Sequence, residues 1–490
     1  MAKLTVRLDD PIATISPMLY GHFAEHLGRC IYEGLWVGDD SPIPNTRGIR
    51  NDTVAALRKL AAPVIRWPGG CFADDYHWRD GVGPRHQRPR RMNLWWHDEE
   101  PNHFGTHEFI DLCRQAGAEP YICLNVGSGS PEEAAGWVEY CNYAGDTSRA
   151  RERAAHGHPE PFGVRYWGVG NENWGCGGRF APDDYAREYR RFACYLRGRG
   201  RAIELIACGH TGPDWNRTFL DTLGDLNTID HLSVHRYIKC GDAVDFSDTE
   251  HYNLYPRALQ VEADIVEAAT ALALYNRTGR HIGVIVDEWG VWHPEARGDS
   301  GLYQRNTLRD ALVAAAVFDV FNRHADKVTM ANIAQTINVL QCLCQTQGEA
   351  MWLTPTYHAF DLYKPHMGNA AVRLDLDDVP TVEARGADGR AVALPVVSAS
   401  ASVDEAGKTA VVTLQNLHLA EPCPCTIRLR GRSIAKATAR ILTASDARDH
   451  NGPDAPAKVK PKRFKLDARA TTLRAALPPH ALVSAKVSLR

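Results

Sequence analysis

The chain has 490 residues, 44% apolar and 23% charged, with a net charge of −3, so it has the makings of an ordinary globular core and no field that would draw it to nucleic acid or an anionic membrane. No apolar run approaches the roughly 20 residues of a membrane span, and Met1 to Asp10 hold no apolar signal-peptide region. The 13 scattered cysteines, an odd number, then read as reduced thiols of a cytoplasmic protein.

Lys3 to Leu8 alternate as a lone strand. From Met18 a unit recurs: short apolar strand, polar loop, amphipathic helix. Met18 to Phe23 is the first strand and ends at Glu25. A helical stretch from Thr53 to Ala62 leads to Pro63–Trp67, which runs into Pro68-Gly69-Gly70-Cys71. Another from Glu108 to Ala116 leads to Pro120–Asn125. Ser130-Pro131-Glu132-Glu133 then opens a helix with a serine cap, a proline in the first turn and a glutamate at the capping-box position. The fourth strand begins at Val164 and breaks into Gly170-Asn171-Glu172-Asn173-Trp174. A helix from Asp183 to Leu196 leads to the fifth strand, Ile203–Cys208. Ile229–His235 is the sixth, with Tyr237 just beyond. A helix from Ala258 to Tyr275 leads to the seventh, which starts at His281 and breaks into Asp287-Glu288-Trp289-Gly290. Asn306–Arg323 leads to Val328–Ile333, with Gln335 close behind.

Eight such units predict an α/β protein with a (β/α)₈ TIM barrel, whose active site is built by the loops after the strands. A doubly wound open sheet would also alternate, but no glycine-rich phosphate loop follows the first strand. The barrel is expected over residues 17–368. Beyond it the runs shorten to Thr409–Leu417, Thr426–Arg430, Thr438–Leu442 and Ala481–Val487. That pattern predicts an all-β, jelly-roll-like sandwich over 369–490, completed by a strand from residues 1–16. The polar stretch Asp446–Arg463 turns basic toward its end and reads as an exposed loop.

A carboxylate at the end of a buried strand is costly to desolvate unless it is paired or used. Glu172 and Glu288 both sit there, each preceded by Asn or Asp and each with an indole within the next two residues. Glycoside hydrolysis needs such a pair: one acid protonates the departing oxygen while a carboxylate attacks the anomeric carbon. His231 and His235 are four apart, but no His-Glu-x-x-His or paired Cys-x-x-Cys occurs, and Cys423-Pro424-Cys425 stands alone. No catalytic metal and no cofactor are expected.

Several blocks then make the sequence resemble glycoside hydrolase family 51 over nearly its whole length. They are Tyr20 to His26, Arg66-Trp67-Pro68-Gly69-Gly70, Asp80 to Pro84, Gly170-Asn171-Glu172, Glu288 and Ala334-Gln335. That family consists mainly of retaining α-L-arabinofuranosidases. The resemblance implies an exo-acting enzyme that releases terminal arabinofuranose from arabinan, arabinoxylan or arabino-oligosaccharides by double displacement. It implies Glu172 as general acid/base, Glu288 as nucleophile, and Asn171 on the hydroxyl next to the anomeric carbon. It places Glu25, Arg66, Cys71, His235, Tyr237 and Gln335 around the furanose ring, with Tyr237 also holding the nucleophile. Phe23 and Trp292 would line the pocket and Trp96 would lie near the leaving group. It further implies a homo-oligomer, commonly a hexamer. Two alternatives remain open: a β-glucan- or β-xyloside-cutting relative, decided by the loops around Trp96 and Trp174, and a non-catalytic sugar-binding barrel, against which the two intact glutamates speak.

Overall fold

The computed structural model describes residues 1–490. Eight parallel strands close a barrel in chain order. They are β1 (Gly21–Phe23), β2 (Val64–Trp67), β3 (Glu119–Leu124), β4 (Tyr166–Val169), β5 (Glu204–Cys208), β6 (His231–Ile238), β7 (Gly283–Val291) and β8 (Val328–Ile333). Every residue of β2, β4 and β7 is buried. Parallel strands covered on both faces must be continuously apolar, which is why these elements show as runs rather than alternations. The first strand is shorter than its apolar run suggests. The Ser16 hydroxyl accepts a hydrogen bond from the Met18 N–H, and Pro17–Tyr20 forms a 3₁₀ turn before β1.

The helices are α1 (Asn51–Leu60), α2 (Thr106–Ala116), α3 (Pro131–Asn142), α4 (Ser148–Ala155), α5 (Pro182–Leu196), α6 (Pro213–Leu223), α7 (Asp248–Tyr275), α8 (Leu308–Arg323) and α9 (Pro355–Tyr363). Ser130 caps α3 as expected, its hydroxyl accepting from the Glu133 N–H at 3.2 Å. The apolar pattern missed α4, α6 and α9 and the true start of α7. α6 buries only a stripe of Trp215, Phe219, Leu220 and Leu223 behind a proline start. α7 begins earlier than expected, at a capping box formed by Ser247 and Glu250, and carries Pro256 within it.

The rest of the chain builds a ten-stranded sheet that curls around its own core of residues such as Leu4, Val6, Val412, Leu414, Ile427, Leu473 and Val483. The N-terminal strand Ala2–Thr14 lies inside this sheet, antiparallel to Ala370–Asp377 and parallel to Cys423–Arg430. Cys423 and Cys425 are two residues apart on that last strand and both face inward as free thiols. The stretch Asp446–Arg463, expected to be loop, ends inside a strand, Lys462–Phe464, which pairs with Ile434–Leu442 at one edge of the sheet. Lysine and arginine on an edge strand discourage further pairing.

α8 is buried on all sides from Leu308 to Asn322, because the barrel covers one face and the sheet the other. The seam is polar. Asp319 accepts from the Tyr363 hydroxyl at 2.7 Å and from the Ser398 hydroxyl, and Asn322 donates to Ser400 Oγ at 3.0 Å. Burial pushes the Asp319 carboxyl up to about 6, against the pull of the Ser398 and Tyr363 hydroxyls. An unfolded aspartate ionises near pH 4, so between pH 4 and 6 the unfolded chain has released a proton that the native state still holds. Stability contributed here is therefore present at low pH and lost as pH rises through 6. Two units correspond to about 3 kcal/mol. Asp319→Asn should gain stability relative to the parent as pH goes from 4 to 7, read from paired denaturation curves. Curves that stay parallel would contradict this.

Candidate active site

The carboxyl ends of the strands converge on a cluster of buried charges. After β4 the chain turns through Gly170 into Glu172, whose φ of +41° is a left-handed conformation that few non-glycine residues adopt. Such a residue costs of order 1–3 kcal/mol and persists only where its surroundings impose it. Here the Asn171 N–H donates to Asp74 Oδ2 (2.9 Å), the Asn173 N–H to Cys208 Sγ (3.3 Å) and Asn173 Nδ2 to the Gly177 carbonyl (2.7 Å).

One oxygen of Glu172, one of Glu288 and a ring nitrogen of His235 all lie within 4.8 Å of one another. Arg66, on β2, donates through Nη1 to Glu288 Oε1 (2.6 Å) and through Nη2 to Asn171 Oδ1 (2.6 Å). Its guanidinium stands 4.7 Å from the centre of the Phe23 ring. Burial disfavours the Arg66 charge, but Cys123, Asp287 and Glu288 more than offset this and hold it well above the ordinary range. The Tyr237 hydroxyl donates to Glu288 Oε2 at 2.6 Å.

Glu288 is not the only carboxylate that β7 delivers. Asp287 accepts from the Tyr121 hydroxyl at 2.7 Å and stands 3.1 Å from His235 Nε2, while His235 Nδ1 is 2.9 Å from Glu172 Oε1. Adjacent strand residues normally face opposite ways. Between β6 and β7, however, Ser233 pairs with Ile285 and His235 with Glu288, so β7 carries an extra residue and both acids reach the site. Burial opposes charge on His235, but Glu288 and Asp287 outweigh it and raise the ring to about 10.

Glu25 follows β1. Its Oε1 accepts from the Phe72 N–H (3.0 Å) and Trp96 Nε1 (3.3 Å), and its Oε2 from Gln335 Nε2 (3.1 Å). Gln335 is reached through a cis Ala334–Gln335 peptide. The Gly69-Gly70 pair is explained by this carboxylate: a Cβ on Gly70 would lie 2.6 Å from Glu25 Oε1. Burial, reinforced by Glu288, pushes Glu25 up to about 7. Trp292 packs edge-on against Tyr237 at 5.2 Å between ring centres and donates to the Ala296 carbonyl at 3.0 Å.

One expectation needs correction. Cys71 comes to the site bonded to Cys176, so it is not a free thiol and the chain is not uniformly reduced; eleven other cysteines are free. Cys176 Sγ lies 3.7 Å from Glu172 Oε2. The two cysteines are 105 residues apart on separate loops over the barrel mouth, and no sequence spacing announces their pairing. Sequence reading also passed over Asp74 and the Asp287–Tyr121 contact; the only signal for Asp287 was a second acid beside Glu288. Ligand-type atoms come close enough for a metal in the groups Glu172–His235–Glu288 and Cys71–Glu172–Cys176. In the second the sulfurs are bonded to each other, and in the first Glu288 is engaged by Arg66 and Tyr237. His231 lies apart from His235, against Glu204 (2.9 Å) and Thr329 (3.0 Å). Open clefts of 790 Å³ beside Arg88 and His156 and of 820 Å³ beside Phe464 do not touch these acids, so charge rather than volume locates the site.

Two acids this close at the carboxyl end of a (β/α)₈ barrel, one held by arginine and tyrosine and the other by histidine, define a barrel glycoside hydrolase. The chain matches the α-L-arabinofuranosidase 1 domain over residues 56–257 and the α-L-arabinofuranosidase C-terminal domain over residues 287–481. It is 42% identical to an intracellular exo-α-L-arabinofuranosidase of Bacteroides ovatus, covering 99% of this chain and 95% of that protein. It is 38% identical to α-L-arabinofuranosidase C of Emericella nidulans over 70% of each chain. Among solved structures, the family 51 arabinofuranosidase of Xanthomonas axonopodis pv. citri superposes with a TM-score of 0.94 at 39% identity, covering 99% of both chains. The arabinose complex of the Thermotoga maritima α-L-arabinofuranosidase gives 0.90 at 32% identity, covering 100% of both. The chain belongs to the α-L-arabinofuranosidases of glycoside hydrolase family 51.

Removing Arg66 strands two buried carboxylates. Arg66→Met should cost about 3–5 kcal/mol of stability at neutral pH, and less in acid, where the stranded groups can take up protons. Urea unfolding at pH 5 and pH 8 measures this. A loss equal at both would show that the charge is not what Arg66 supplies.

Proposed function

We propose that the protein is an exo-acting, retaining α-L-arabinofuranosidase that removes terminal arabinofuranose from arabinan, arabinoxylan or arabino-oligosaccharides. The observation that carries this is the approach of Glu172 and Glu288 oxygens to within 4.8 Å. Retaining enzymes hold their carboxyl groups about 5–5.5 Å apart, whereas inverting ones leave about 6.5–9.5 Å for a water. Glu288, 5% exposed and gripped by Arg66 and Tyr237, suits the nucleophile; Glu172, 18% exposed, is open to a leaving group and to water.

In the first step Glu288 attacks the anomeric carbon while Glu172 delivers a proton to the departing oxygen. In the second Glu172 takes a proton from water as its oxygen displaces Glu288. Asn171, its carbonyl oxygen taken by Arg66 and one amide N–H facing Cys176 Sγ at 3.7 Å, keeps its other N–H for the hydroxyl beside the anomeric carbon. Glu25 and Gln335 offer polar groups to the furanose, His235 borders the ring, Trp96, its N–H held by Glu25, lies toward the leaving group, and Phe23, Trp292 and the Cys71–Cys176 bridge shape the wall. The steps use the sugar substrate, water and this chain's own side chains, without a metal or cofactor. Placement in the cytoplasm is supported by the intracellular relative, and assembly as a homo-oligomer, commonly hexameric, by the family resemblance.

A panel of nitrophenyl glycosides tests the substrate class: the α-L-arabinofuranoside should exceed the β-D-xyloside and β-D-glucoside in kcat/KM by about 100-fold or more, the scale of one missing catalytic group. Comparable turnover of the glucoside would favour a glucan-cutting relative. Azide tests the roles. In Glu172→Ala the covalent intermediate forms with a nitrophenolate leaving group, and azide then displaces Glu288 to give the α-azide after two inversions. In Glu288→Ala azide attacks the substrate directly and gives the β-azide after one. Exchanged anomers would reverse the assignment.

A further inference from the structure

The reaction as described leaves Asp287 without a duty, although it is a fully buried acid beside the nucleophile. We infer that Asp287 is a positioning residue, which fixes His235 so that His235 and Glu172 share the one proton passed to the leaving oxygen. The inference rests on the reading of Glu172 as acid/base.

Asp287 Oδ1 stands 3.1 Å from His235 Nε2 as a charge contact, with no hydrogen bond of its own, and its other oxygen is held by the Tyr121 hydroxyl at 2.7 Å. A buried carboxylate this close to Nε2 favours hydrogen on that nitrogen in both ring states, which leaves Nδ1 as the nitrogen whose proton changes. Nδ1 lies 2.9 Å from Glu172 Oε1. The same heavy-atom positions suit two arrangements: an imidazolium donating to a Glu172 carboxylate, or a neutral ring accepting from a Glu172 carboxylic acid. The groups facing His235 are Glu172 and His210 from the loops after β4 and β5 and Asp287 and Glu288 from β7, with Arg66 of β2 and Tyr121 of β3 behind them. Burial pushes His210 down and the Cys208 thiol and the Tyr121 and Tyr237 phenols up, so the ring meets acids on three sides and one guanidinium beyond. That surplus of acids holds the ring near 10 despite its burial.

The protons balance over a turnover. The proton moves from Nδ1 to Glu172 and on to the glycosidic oxygen as its bond to the anomeric carbon breaks, leaving a neutral ring and a carboxylate. When water attacks and Glu288 departs, the water proton goes to Glu172 and restores the pair.

The pair loses its proton at the alkaline limb of the kcat/KM profile, and the charge of Asp287 delays that loss. On an arabino-oligosaccharide, Asp287→Asn should move the alkaline limb down by about one pH unit or more. Tyr121→Phe, which loosens Asp287 without removing its charge, should move it the same way by less. Profiles in which both variants lower activity at every pH without moving the limb would overturn the inference. Should Asp287→Asn fail to fold, the limb of Tyr121→Phe decides alone. The azide products separate the two levels: if they assign acid/base duty to Glu172 and the limb stays put, only this inference falls; if the anomers exchange, the reading beneath it falls first.

Discussion

The Arg66 guanidinium is the fixed positive charge around which the barrel mouth is built. Each buried carboxylate carries a desolvation penalty of several kcal/mol, repaid only by close pairing and further hydrogen bonds. From one position on β2, Arg66 reaches Glu288 on β7 and Asn171 after β4, and stands 3.5 Å from Asp287. A planar fork of five donors does this; a lysine, with one compact ammonium, could not span the two acceptors at once. The same side chain therefore registers three strands against each other and orients Glu288, the proposed nucleophile.

The remaining acids are sorted by what surrounds them. Asp287 and His235 are opposite charges in contact, and Arg66 and His235 hold Asp287 below its ordinary range although burial alone would raise it. Glu25 has no such partner and is raised to about 7, where it can both donate and accept hydrogen bonds near neutrality. Asp74 is raised by burial to about 7 as well, yet three backbone N–H groups, of Val126, Gly127 and Asn171, converge on it. It fastens the loop after β2 to the ends of β3 and β4. Position in the fold, more than residue type, thus sets the charge and partners of each of these carboxyl groups.

The barrel strands were legible because parallel strands buried on both faces leave unbroken apolar runs, and the two glutamates because charge at the end of such a run has no packing purpose. The sites at Glu25, Arg66, Gln335 and Tyr237 could be placed by family resemblance, each lying one to three residues from a strand end. What was not legible depends on contacts between distant loops. The Cys71–Cys176 bond joins loops after β2 and β4, and nothing local to either cysteine marks it. α6 shows too little apolar surface, and Pro256 masks the true start of α7 behind a capping box. The short edge strand Lys462–Phe464 hides in a stretch whose charge is the mark of a protected edge as much as of a loop.

Two irregularities separate a stable barrel from a reactive one. A regular β7 would point Asp287 and Glu288 to opposite faces, giving either the carboxylate held by Arg66 and Tyr237 or a histidine partner but not both. The extra residue in β7 opposite Ser233–His235 lets one turn of strand supply both. Likewise a relaxed backbone at Glu172 would not need the left-handed φ of +41° that Asp74 and Cys208 impose through the neighbouring N–H groups. In each case the distortion is small against the burial of the surrounding barrel, and it occurs where an acid must face a point that regular geometry would not present it to. The proposed catalytic pair is thus defined less by its residue types, which many strand ends carry, than by two local departures from regularity that the packed core is stable enough to hold.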